Sequence, residues 1–168
     1  MGIEQGSRWV TIEEQIKNDP AAARGRILDE QQPLLAYYGK RLQGYGVQEE
    51  AVRAVRDIII VEETFRSSLT NGQYVSEEEK GKHELVIEQS EAQRKRALYK
   101  MTEQVYVNMR SMHRKMPTSL SAEDAIDMSQ TYVNDFVDLT TALERVRLCD
   151  DSSEELLKVY NENFPAYW

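Results

Sequence analysis

Residues 77–116 read EEEKGKHELVIEQSEAQRKRALYKMTEQVYVNMRSMHRKM, a stretch with no proline and a single glycine, Gly81. Within it Leu98, Met101, Val105, Met109, Met112 and Met116 advance by three, four, four, three and four residues. That spacing keeps one apolar stripe on a helix face at close to the 3.5-residue period of a coiled coil. If all of it is helical the rod is about 60 Å long at about 1.5 Å per residue, more than a compact domain of this size requires. Its start is marked by Ser76 followed by Glu77, Glu78 and Glu79, a cap and three carboxylates where the positive end of the helix dipole favours them. Gly81 weakens the first turn without breaking it.

Toward the C-terminus, a hinge from Pro117 to Leu120 precedes Ser121 and Asp124, a capping-box pattern. It opens a fifth helix to about Cys149 through Ile126, Val133, Phe136, Leu143 and Val146. The two arms predict a long antiparallel helical hairpin over about 77–149. Ser152 and Glu155 start a short last helix, and with the aromatic tail it occupies about 152–168.

Toward the N-terminus, Asn71-Gly72 closes a third helix of about Gln48 to Leu69, whose stripe of Val52, Val55 and Ile59 is broadened by Ile58 and Phe65. Before it, Gly44-Tyr45-Gly46 ends a second helix that starts at Pro20 behind an Asp19 cap. Pro33 predicts a kink or a break in that helix near Gln31-Gln32, since it lacks an amide and crowds the preceding turn. Thr11 with Glu14 caps a short first helix that stops near Asn18. Strand-like alternation is absent. The fold class expected is all-α: a helical bundle in one domain, 1–168, with the long hairpin and a shorter N-terminal helical cluster at about 9–70.

Composition bounds the function. The chain has 168 residues with 40% hydrophobic, which excludes wholesale disorder. A net charge of -8 argues against a protein that coats nucleic acid with its whole surface. The longest apolar run, Ile58-Ile59-Ile60-Val61, is far short of the roughly 18 residues that read as a membrane span. The N-terminus lacks a basic and apolar leader, and the single Cys149 has no disulfide partner within the chain. A cytoplasmic or other intracellular location is expected, with no membrane partner. Met1-Gly2 is a near miss for myristoylation, with Gly6 where the pattern wants Ser or Thr and Ser7 one later.

Charge is unevenly distributed. Between Arg94 and Lys115 stand seven basic residues (Arg94, Lys95, Arg96, Lys100, Arg110, Arg114 and Lys115) and one acid, Glu103. Between Ser121 and Glu155 stand ten acids and two arginines. The two arms are expected to neutralise each other, within the chain or between subunits. The alternative is a basic arm that tracks a phosphate backbone, with Tyr99, Tyr106 and His113 to stack or hydrogen-bond.

The Leu98 to Met116 stripe reads mainly as core. Yet a rod of that length has more apolar face than its shorter neighbours cover, so part of the stripe is expected to meet another subunit or protein. The tail, Asn163-Phe164-Pro165-Ala166-Tyr167-Trp168, either anchors a partner through Tyr167 and Trp168 or folds back on the bundle.

No catalytic, metal or cofactor site is expected. His83 and His113 lie about eight turns apart on one helix, and neither belongs to a Glu-x-x-His pair. Cys149 precedes Asp150 and Asp151, whose charges oppose a thiolate. Gly44-x-Gly46 lacks the other glycines, the strand and the lysine of a phosphate cradle. The function expected is therefore non-enzymatic: a helical interaction or assembly protein whose hairpin mediates homo-oligomerisation or docks another protein. The interface would use Leu98, Met101, Val105, Met109, Met112, Met116, Tyr167 and Trp168. The alternative function is a nucleic-acid-binding packaging or regulatory accessory that uses the basic arm, 94–115.

Overall fold

The computed structural model describes residues 10–113, 120–150 and 152–164. Of these 87% are helical and none is in a strand, so the chain is all-α. Six helices follow in order: α1 Ile12–Asn18, α2 Pro20–Gly44, α3 Glu49–Thr70, α4 Glu77–His113, α5 Ala122–Leu148 and α6 Ser153–Asn163.

Except at α3, where Gln48 makes no side-chain cap, the helix starts follow from short polar side chains that satisfy amides left without an intrahelical partner. Thr11 Oγ1 accepts from the Glu14 amide at 3.1 Å, and Asp19 Oδ1 from the Ala22 amide at 3.3 Å. Ser76 Oγ accepts from Glu79 at 3.2 Å, while the Glu79 carboxylate accepts from the Val75 amide at 2.8 Å. Ser121 and Ser152 cap α5 and α6 in the same way, through the amides of Asp124 and Glu155. Pro33 lies inside α2, which runs through it unbroken. The proposed hinge and the last turn of the 77–116 arm, including Met116, lie largely outside the described residues, with Leu120 the exception.

The chain divides into two compact units, Met1–Pro33 with Ala142–Trp168 and Leu34–Thr141. The first unit brings α1 against α6. Its apolar centre includes Ile16, Ala23, Ile27, Val146 and Leu156, all buried, with Phe164 stacked on Tyr160 at 5.6 Å. Arg26 ties three pieces of chain together by donating to the Val10 carbonyl at 2.9 Å, Gln15 Oε1 at 3.1 Å and Glu30 at 2.8 Å. Arg24 donates to the Cys149 carbonyl, so the end of α5 receives a cation where its carbonyls lack partners.

In the second unit α3 and α4 pack side by side. They run antiparallel: Arg66 meets Glu91, Glu62 meets Arg94, and Tyr45, just before α3, meets Asn108 near the end of α4. The turn between them uses Gly72 at φ 66°, a left-handed position that glycine takes without steric cost. Val52, Val55 and Ile59 of α3 and Met101, Val105 and Met109 of α4 are buried, as are Leu35, Leu42, Ala125, Val133 and Phe136. Each helix thus buries one stripe and leaves the opposite face in solvent, as helical spacing requires.

Candidate docking face on the longest helix

α4 carries most of the residues that the sequence singles out, and its period sorts them. Successive positions turn by about 100°, so residues two apart point to opposite sides. Arg94 faces the protein. Its Nε donates to Glu62 Oε2 at 2.8 Å and its Nη2 to Glu62 Oε1 at 3.2 Å. Arg66 donates to the same Glu62 Oε1 at 2.9 Å and lies 3.7 Å from Glu91. Glu62 is 2% exposed. Burial by itself raises a carboxyl pKa, but the hydrogen bonds and charges of Arg94 and Arg66 outweigh it and hold Glu62 below the usual carboxylate range. Arg94 is thus the counter-ion of a buried carboxylate, and its charge is spent inside the unit.

Lys95, Arg96 and Lys100 point outward. All three are exposed and have no hydrogen-bond or ion-pair partner among the described residues. Between them stands Tyr99, 72% exposed. Leu85 at 52% and Val107 at 54% fall on the same side. From their sequence separations, Leu85, Tyr99 and Val107 lie within an arc of about 80° of the helix. The outward face therefore alternates large apolar groups with unpaired cations, with Glu103 as an exposed acid among them. An exposed aromatic among exposed cations is a surface that gains from being covered.

The remaining candidates are placed as follows. Arg110 donates to the Leu120 carbonyl, just ahead of α5. Arg114, Lys115, Met116, Tyr167 and Trp168 lie outside the described residues. Of the apolar stripe, Met101, Val105 and Met109 are buried in the second unit, Leu98 is half-buried, and Met112 is 49% exposed. The stripe is thus mainly core, and its end at Met112 reaches solvent. Of the expected charge balance, Arg94 is answered from α3 by Glu62, not by the acidic arm. Lys95, Arg96 and Lys100 are not answered at all among the described residues.

Two features have no precedent in the sequence reading. Glu62 and Glu63 are carboxylates on the buried side of α3. The signal for Glu62 was present, since it stands one turn after Ile59 on the apolar stripe. The second is a tyrosine cluster around Arg41, whose guanidinium lies over the rings of Tyr132, Tyr38 and Tyr37 at 4.2, 4.9 and 5.2 Å and 3.6 Å from Asp135. Tyr45 joins it at 5.7 Å from Tyr132, and burial together with Tyr132 raises its hydroxyl pKa despite Arg41. These residues come from distant parts of the sequence, and cation–π contact gives the cluster its cohesion.

Burial and then the charges of Glu155 and Asp150 push the Cys149 thiol up to about 11, so it is protonated near neutral pH. No group of three or more His, Cys, Asp or Glu among the described residues is arranged to hold a metal ion. No helix among them is long and apolar enough to cross a membrane. No protein-family model, curated protein or solved structure matches this chain.

Proposed function

We propose that the protein is a non-enzymatic assembly protein that self-associates through the outward face of α4. The observation that carries this reading is Tyr99, 72% exposed, flanked by three cations that no side chain among the described residues neutralises. A second copy is the favoured occupant on charge. The chain is acidic overall, at -8, and Glu123, Asp124 and Asp127 stand exposed on the first turns of α5. Opposite charges across such a face set register and speed encounter, while Leu85, Tyr99 and Val107 supply the apolar area to be covered.

The same three cations and Tyr99 favour one other reading, a nucleic-acid accessory in which Lys95, Arg96 and Lys100 contact phosphates and Tyr99 stacks on a base. One experiment separates the two. Mass in solution is measured by light scattering at high micromolar concentration, at low and moderate salt, with and without a short duplex DNA. A defined oligomer that ignores DNA and falls to monomer in Tyr99→Ser supports self-association. A strict monomer overturns it, and a salt-sensitive mass increase with DNA that Lys95→Gln/Arg96→Gln weakens supports the second reading.

A further inference from the structure

Beside this face, where the start of α3 meets the middle of α4, lies a half-open hollow of about 390 Å³. Its walls are Val47, Ala51, Ala54, Val55, Ala97 and Met101, and its rim is polar, with Gln48, Gln104 and Lys100. The hollow exists because three of the facing positions are alanine. A larger side chain at Ala51, Ala54 or Ala97 would occupy the space that α3 and α4 leave between them. Its upper edge is held in place by the chain around Gly46. The Asn108 side-chain amide donates to the Tyr45 carbonyl at 2.6 Å, and Gly46 sits at φ 87° with no room for a Cβ, which would come within 2.1 Å of Asn108 Nδ2. The edge of the hollow thus rests on a left-handed backbone position that favours glycine, and its size is within the range of about 300–1,000 Å³ usual for small-molecule sites.

Charge identifies the class of ligand. Among the described residues Lys100 is the one cation lining the hollow, and it has no partner there. Of the acids close by in sequence, Glu49 is already held by Arg53 at 2.6 Å, and Glu50 and Glu103 are exposed. Gln48 and Gln104 supply neutral amide donors at the rim. We propose that the hollow binds a small amphipathic monoanion, an aliphatic carboxylate of medium length, with its chain on the α3–α4 walls and its carboxylate at Lys100. The site goes beyond self-association and needs only residues of one chain, although it shares Lys100 with the self-association face.

The test is calorimetric titration of the full-length protein with sodium octanoate, and with octanol as the uncharged counterpart. Octanoate is expected to bind with a stoichiometry of one per chain. Octanol, and octanoate with Lys100→Gln, are expected to bind about tenfold more weakly, the size of one lost charge-assisted hydrogen bond. Ala97→Leu is expected to abolish binding by filling the hollow. Ala54→Leu, at an exposed position that tolerates the larger side chain, repeats the test should Ala97→Leu disturb the fold. Absence of saturable binding, equal affinity for octanoate and octanol, or full affinity in both leucine variants overturns the proposal. Light scattering on the same samples reports self-association separately, so failure of one reading is distinguishable from failure of the other.

Discussion

Arg94 and Arg96 are two residues apart on one helix and have opposite physical roles. Arg94 is bound to a carboxylate that is 2% exposed, and removal of either partner strands a charge away from water. Arg96 is solvated, and its charge is available to whatever approaches. The contrast shows that a run of basic residues is not one feature. Helical geometry divides it into structural and available charge, and only partners on other helices say which is which. The same division separates Met101, Val105 and Met109 from Tyr99 and Val107.

The largest test of this division is substitution at its two ends. Arg94→Leu is expected to cost about 3 kcal/mol in urea denaturation, because Glu62 stays buried with only Arg66 to answer it. Arg96→Gln is expected to stay within about 0.5 kcal/mol of wild type. Equal losses would break the comparison. The apolar pair sharpens it: Val105→Ala should cost about 2 kcal/mol through the cavity it leaves, whereas Val107→Ala should be close to neutral.

Next in size is a contrast between two left-handed glycines. Gly46→Ala forces both a strained φ and a contact at 2.1 Å, and is expected to cost about 2 kcal/mol and to weaken the bond from Asn108 to Tyr45. Gly72→Ala has the same backbone strain with nothing within 4 Å, and should cost about 1 kcal/mol. If both cost the same, close approach at Gly46 contributes nothing.

The smallest expected effect is on pH dependence. Glu62 has a folded pKa below its ordinary value of 4.5, so its contribution to stability is complete above that value and is lost as pH falls through the folded one. Melting temperature against pH should therefore have an acid limb that Glu62→Gln flattens. An unchanged limb in that variant would assign the acid sensitivity to other carboxylates.

Much of the fold was legible locally. The caps at Thr11, Asp19, Ser76, Ser121 and Ser152 are contacts within three residues, and Gly46 and Gly72 mark turns by their backbone freedom alone. Local chemistry also gave the helix starts to within a residue, because a cap and its amide are neighbours in sequence. Pro33 was less legible: the missing amide is local, but whether the helix survives it depends on packing on either side, and α2 continues. The Leu98 to Met116 stripe was readable as an apolar face, but not how much of it the chain itself covers. The outward face escaped notice because Leu85, Tyr99 and Val107 are 14 and 8 residues apart, too sparse for a periodic pattern.

The sequence by itself determined that this protein is all-helical, where its helices begin, and that its positive charge is concentrated near Arg94 to Lys115. Hydrogen bonds over three or four residues and the hydrophobic period are sufficient for that. The tertiary structure alone decided that Arg94 belongs to Glu62, that Lys95, Arg96 and Lys100 have no partner among the described residues around Tyr99, and that alanines from two helices leave a hollow beside Lys100. Those outcomes depend on which faces of α3 and α4 meet, and an ion pair or a cavity between residues about 30 to 50 positions apart exists only once the helices have packed.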